Sequence, residues 1–115
     1  MPPVKKSAFW LLLLALTVFS LLPVAFLPPP SFSIWDKAQH ALGFAALTGL
    51  GLWAYPRLQF GMPLLMLLHG GFIEVAQAAT GWRHGEWLDL LDDAVGIASA
   101  LLIARTLTRL RQLHD

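Results

Sequence analysis

Residues 8–27 form a run of 20 residues without a charged side chain, and this run constrains the fold more than any other feature. As a helix it is long enough to cross the roughly 30 Å hydrocarbon core of a bilayer. Of the 115 residues, 57% are hydrophobic and only 13% are charged. Soluble proteins carry about 25% charged residues, and a soluble domain this small could not bury so much apolar side chain. The composition therefore predicts a single domain embedded in the lipid bilayer.

Three further apolar segments follow the first run, and we expect each to be a helix. Pro28-Pro29-Pro30, Pro56-Arg57 and the charged residues 82–87 separate them. The predicted fold is all-α: a bundle of four transmembrane helices at about residues 8–27, 35–55, 60–79 and 88–107. The purely apolar part of the second segment, residues 41–55, is short, so its polar first turn is expected at the membrane boundary.

The first run has an alternative interpretation as a cleaved signal peptide, because Lys5 and Lys6 precede it. Its length exceeds that of a usual signal-peptide core, and no small-x-small cleavage motif stands before Pro28. We therefore expect an uncleaved first helix.

The distribution of basic residues predicts that both termini are cytoplasmic. Four spans place the two termini on one side of the membrane, and cytoplasmic loops are enriched in Lys and Arg. This orientation puts six basic residues inside: Lys5, Lys6, Arg57, Arg105, Arg109 and Arg111. Only Lys37 and Arg83 then lie outside. The net charge of +1 gives no reason to expect a nucleic-acid partner, and the absence of cysteine excludes thiol chemistry.

Polar residues of three helices share one depth in this topology, at the extracytoplasmic ends. They are Asp36, Lys37 and His40 on the second helix, Glu74 and Gln77 on the third, Asp89, Asp92 and Asp93 on the fourth, and Arg83 in the preceding loop. Small residues follow them at helical spacing on three predicted inward faces: Gly43; Gly70, Ala78 and Gly81; Gly96 and Ala100. The sequence thus predicts a polar pocket open to the extracytoplasmic side.

This ordered set resembles the VanZ-like family of small bacterial membrane proteins. The resemblance spans roughly residues 36–104 and rests on Asp36-Lys37-x-x-His40, Glu74-x-x-Gln77, and Arg83 followed by Asp89 and Gly96. It implies a multi-pass protein of the bacterial cytoplasmic membrane that acts in the cell envelope. The family takes its name from resistance to a glycopeptide antibiotic, but a family name does not transfer a phenotype. Two positions depart from the pattern: Asp93 stands where Asn is expected, and Ile73 where an acid often precedes the Glu.

The candidate site residues allow structural as well as functional roles. Glu74 lies well inside an apolar segment, so it either binds a cation or proton or forms an ion pair with Arg83 or Lys37. Asp36 and Asp89 suit helix capping, and Gln77 suits an interhelical hydrogen bond. Arg83 suits either a lipid phosphate or an internal clasp. His69 is interpreted as a packed core residue.

Three functions remain open at this point. The leading one is binding of a lipid-linked or cell-wall-related ligand by Asp36, Lys37, His40, Glu74, Gln77, Arg83, Asp89 and Asp93. The second is a hydrolase or transferase acting on lipid head groups, with Glu74, His40, Asp89 and Asp93 as acid–base groups. The third is a purely structural role for the polar cluster. A divalent metal is the weaker alternative for a cofactor, since no His-Glu-x-x-His motif or other established metal motif is present.

Overall fold

A computed structural model describes residues 4–22, 34–81 and 87–114 of the chain. Its four α-helices are α1 (Val4–Leu21), α2 (Ile34–Ala54), α3 (Gly61–Thr80) and α4 (Trp87–His114). A short 3-10 helix, Pro56–Leu58, connects α2 to α3. The described ranges contain no β-strand. The predicted all-α fold with four helices is therefore confirmed.

Two helix boundaries differ from the prediction. α1 already begins at Val4, and its predicted last residues, 23–27, lie outside the described part of the chain. α4 continues to His114, past the predicted end at residue 107. Residues 105–114 contain no Gly or Pro, and six of the ten are Leu or Arg, which are good helix formers. α3 ends where Gly81 takes a left-handed conformation with φ of 81°.

The outer surface of the bundle is apolar, and the interior holds polar side chains. Large exposed apolar residues include Leu11, Leu14 and Val18 on α1, Leu64, Leu68 and Phe72 on α3, and Leu91, Val95 and Leu102 on α4. The buried polar residues are His40, Thr48, Glu74, Gln77, Asp89 and Asp93. Soluble monomers rarely expose continuous apolar surface of this kind. α1 and α3 are each long and apolar enough to cross a membrane.

An apolar core joins all four helices. Its buried members are Phe9, Phe44, Leu47, Met62, Met66, Ile73 and Ile97. The ring of Phe9 places α1 in this core, with only 2% of the residue exposed. Side-chain hydrogen bonds add to the contact, because Thr17 Oγ1 lies 2.8 Å from His69 Nε2 on α3. α1 therefore packs as an integral member of the bundle.

α2 and α4 approach each other closely at Gly96. A Cβ atom added at Gly96 would overlap the carbonyl oxygen of Ala41 and lie 2.9 Å from its carbonyl carbon. It would also lie 3.1 Å from the backbone nitrogen of Ala45. Small residues permit such backbone contact between helices in membranes. This contact fixes how α4 is rotated against α2.

One end of the bundle carries a group of basic and aromatic side chains, which we call the basic rim. Its three cation–π contacts join Lys5 to Trp53 (4.6 Å to the ring centroid), Lys6 to Tyr55 (5.1 Å) and Arg105 to Phe60 (5.6 Å). Trp10 Nε1 also donates a hydrogen bond of 2.8 Å to the Tyr55 hydroxyl. The N-terminus of α1, the α2–α3 junction and the second half of α4 therefore meet at this end.

Candidate functional site

Three ionisable side chains from three helices meet at the other end of the bundle. His40 comes from α2, Glu74 from α3 and Asp93 from α4. One ligand-type atom of each lies within 4.8 Å of those of the other two. We call this group the polar centre. Its members are separated by 19 to 53 positions in the chain, so only the folded bundle brings them together.

The antiparallel order of the helices explains why these residues share one end. His40 lies in the second turn of α2, whose other end leads through the Pro56–Leu58 turn into α3. Glu74 lies near the C-terminal end of α3, and Asp93 lies in the second turn of α4. Each residue is thus at the end of its helix that is remote from the basic rim.

Asp93 is the most deeply buried member of the polar centre, with no exposed surface. Its Oδ1 lies 3.1 Å from Nδ1 of His40, within hydrogen-bond distance. Its Oδ2 is buried and receives no hydrogen bond from the described residues. That oxygen lies against α3, since a Cβ added at Gly70 would be 2.9 Å from it. Buried carboxylate oxygens without a partner are rare in folded proteins.

Two of the other predicted site residues are buried but lie outside the group of three. Gln77 donates a hydrogen bond of 2.8 Å from Nε2 to the backbone oxygen of Ser20, so it connects α3 to α1 as an interhelical residue. Asp89 is buried in the first turn of α4. It lies one turn before Asp93 and therefore on the same face of the helix.

The remaining predicted site residues fall outside what the structure describes. Asp36 and Lys37 belong to the first turn of α2, but their side chains are not described. Arg83 lies in the segment 82–86, which is also outside the described ranges. The sequence also favours Trp35, Trp82 and Trp87 as anchors at the outer membrane interface, and their side chains likewise lie outside the described residues.

The predicted inward faces are largely buried, with two exposed exceptions on α3 and one partly buried residue, Gly43, on α2. Gly70, Glu74 and Gln77 are buried there, whereas Ala78 and Gly81 are exposed. Their exposure follows from the rotation of α3, which turns Gln77 toward α1 and leaves the last turn at the edge of the bundle. On α4 the predicted inward positions Asp89, Asp93, Gly96 and Ala100 are all buried.

Sequence reasoning missed two features of the interior. Thr48, near the middle of α2, is fully buried, and its Oγ1 has no hydrogen-bond partner among the described residues. Helical spacing places Asp92 between the faces of α4, as the least constrained of its three acids, but its Oδ2 is also buried. A hydroxyl in the middle of an apolar span is the only signal that could have pointed to Thr48. The position of Asp92 beside Asp93 gave no comparable signal.

The polar centre combines one imidazole with two carboxylates in a site shielded from water. Such a set can bind a cation, exchange a proton or accept hydrogen bonds from a ligand. Comparison with known proteins finds no matching protein-family model, curated protein or solved structure. The geometry of the polar centre is therefore the basis on which a function can be assigned.

Proposed function

We propose that the chain is a VanZ-like protein of the bacterial cytoplasmic membrane that binds an envelope or lipid-linked ligand at its polar centre. In this proposal all four helices span the membrane, both termini are cytoplasmic, and the ligand arrives from the extracytoplasmic side. The observation that carries the proposal is the meeting of His40, Glu74 and Asp93 from three helices.

The unpartnered oxygen of Asp93 favours ligand binding over a purely structural cluster. Polar networks that only connect helices are expected to satisfy their buried atoms, because each unsatisfied group costs free energy. The Oδ2 atom of Asp93 is buried without a hydrogen bond from the described residues. A bound ligand or ion would supply the missing partner.

The packing of α1 supports its retention as the first span. Phe9 belongs to the core, and Thr17 and Ser20 bond to side chains of α3. Cleavage after α1 would remove the backbone oxygen that accepts the Gln77 hydrogen bond. Such contacts with the rest of the protein are not expected of a signal peptide that is removed by cleavage.

The surface of α4 supports its assignment as a span despite its three N-terminal acids. Its exposed residues Leu88, Leu91, Val95 and Leu102 recur at helical spacing on the outer face. Asp89 and Asp93 lie on the buried face, which packs closely on α2 through Gly96. α2 has its own apolar stretch, His40–Ala54. The two least apolar helices thereby cover each other's polar groups.

The basic rim supports the proposed orientation. Lys5, Lys6 and Arg105 meet at one end, and Arg57 lies in the turn beside them. Because Lys and Arg concentrate on the cytoplasmic side of membrane proteins, this end is assigned to the cytoplasm. The polar centre is then near the extracytoplasmic side.

Reporter fusions test the topology. A reporter fused after Arg57 is expected to report the cytoplasm, and one fused after Gly85 the extracytoplasmic side. As a control, each position is fused to two reporters, one active only in the cytoplasm and one active only outside it. One of the two must be active at each position. An extracytoplasmic signal at Arg57 would overturn the proposed orientation.

Lipid mass spectrometry of the purified protein tests ligand binding. Wild-type protein is expected to retain an envelope lipid or lipid-linked species that Glu74→Gln loses, because this change removes a carboxylate from the polar centre at constant size. Thr106→Val is the matched control, since Thr106 is exposed and bonds only within α4. Identical lipid profiles for wild type and Glu74→Gln, with the variant folded, would contradict the proposal.

A further inference from the structure

We propose that His40, Glu74 and Asp93 form a binding site for a divalent transition-metal ion, with Zn²⁺ as the preferred ion. This inference rests on the proposed function, because it concerns the same polar centre, and it names an ion that the polar centre binds. It assigns the three residues as metal ligands, a role that no motif in the sequence indicates.

The separations within the polar centre suit a metal. Bonds of about 2.1 Å in a tetrahedral arrangement place neighbouring ligand atoms about 3.4 Å apart. The three candidate ligand atoms already lie within 4.8 Å of one another, and Nδ1 of His40 is 3.1 Å from Oδ1 of Asp93. In the proposed site, rotation of the Glu74 side chain would bring its carboxylate closer to the ion.

The state of Asp93 is an independent indication of a cation. Its side chain is fully buried, and its Oδ2 has no hydrogen-bond donor among the described residues. A second carboxylate, that of Glu74, lies in the same small space, and the backbone of α3 at Gly70 bounds it. Buried charges are normally paired or coordinate metals. A divalent ion would partner Oδ2 and offset the repulsion between the two carboxylates.

The ligand set selects the kind of ion. Imidazole nitrogen suits Zn²⁺ and other transition metals, whereas Mg²⁺ and Ca²⁺ prefer oxygen ligands alone. Three protein ligands with one position left for water or a ligand oxygen is the arrangement of open zinc sites. The polar centre supplies one nitrogen and two carboxylates from three rigid helices. It therefore favours Zn²⁺ over the harder cations Mg²⁺ and Ca²⁺.

Titration of detergent-purified, EDTA-treated protein with Zn²⁺ alone tests the site. We expect one ion per chain, measured by calorimetry and by metal analysis after gel filtration, and a rise in the thermal midpoint on addition of Zn²⁺. Excess Mg²⁺ should not compete. Asp93→Asn and Glu74→Gln, which keep side-chain size, should each weaken binding by at least about tenfold.

Asp92→Asn is the matched control, because it removes the same charge from the neighbouring position without touching the three proposed ligands. It should bind Zn²⁺ as wild type does. Equal weakening in Asp92→Asn and Asp93→Asn would show a general charge effect and overturn the site, as would absence of Zn²⁺ binding by folded wild-type protein. The midpoint of each metal-free variant verifies folding. Zn²⁺ binding in detergent does not depend on topology or lipid. Absence of Zn²⁺ binding would therefore leave the proposed lipid-linked ligand untouched, and absence of a lipid ligand would leave the Zn²⁺ site untouched.

Discussion

Replacing His40 by Leu is expected to lower the free energy of unfolding of the metal-free protein by about 3 kcal/mol. Leu fills a volume close to that of the imidazole, so the loss comes from the hydrogen-bonded pair and not from a cavity. Oδ1 of Asp93 would lose its 3.1 Å partner, and Oδ2 already has none among the described residues. The buried carboxylate would then have no hydrogen-bond donor at either oxygen among the described residues.

A double-mutant cycle measures this pair directly. His40→Leu, Asp93→Ala and the double variant are compared by reversible detergent-induced unfolding in EDTA. The double variant should be more stable than the sum of the two single losses predicts, with a coupling energy of about 2 kcal/mol. The same cycle with Asp92→Ala in place of Asp93→Ala should be additive to within about 0.5 kcal/mol. Additivity in both cycles would show that His40 and Asp93 do not interact in the folded protein.

Gly96→Ala is expected to destabilise the bundle by about 3 kcal/mol, the upper end of the usual effect of overpacking. The new methyl group would overlap the carbonyl oxygen of Ala41, which belongs to the backbone of α2 and cannot rotate away. The two helices would have to separate. Since Asp93 lies one turn earlier on the same face of α4, His40 and Asp93 should also move apart.

Gly49→Ala is the matched control for this prediction. Gly49 also lies within a helix, but a Cβ added there meets nothing within 4 Å. Alanine is intrinsically favoured over glycine in helices by up to about 1 kcal/mol, so this variant should be as stable as wild type or more so. Thermal unfolding in one detergent measures both proteins. If both variants are equally stable, α2 and α4 do not approach closely at Gly96.

The order of the helices could be predicted from the sequence because the apolar runs are long. Prolines separate the first three runs, and the charged residues 82–87 separate the last two. The start of α1 and the end of α4 differ from the prediction for one physical reason. Charged residues such as Lys5 and Arg105 mark where a segment leaves the hydrocarbon, but they do not end a helix. The rule for membrane spans therefore predicted where each apolar segment begins and ends. It did not predict where the backbone hydrogen bonds of each helix begin and end.

The sequence predicted the level of the site along the bundle, but it did not predict which side chains contact each other. Helical spacing and topology placed His40 and Glu74 at the same level, and the structure brings them together. Nothing in the sequence distinguished Asp93 from Asp89 or Asp92 as the acid that meets His40. That choice depends on the rotation of α4 against α2, which is set by the backbone contact at Gly96. Asp93 looked like a departure from a family pattern, yet it is the best-buried member of the polar centre.

The distance from the basic rim gives the depth of the polar centre along the bundle. On each of α2, α3 and α4, about 12–14 residues separate the polar-centre side chain from the rim residue at the other end. At 1.5 Å per residue this is about 20 Å on all three helices. In the proposed orientation, with the rim at the cytoplasmic interface of a hydrocarbon layer about 30 Å thick, the polar centre would lie about 10 Å beneath the opposite surface. That depth would admit a small ion, or one narrow polar group of a lipid-linked ligand, more readily than an entire lipid head group.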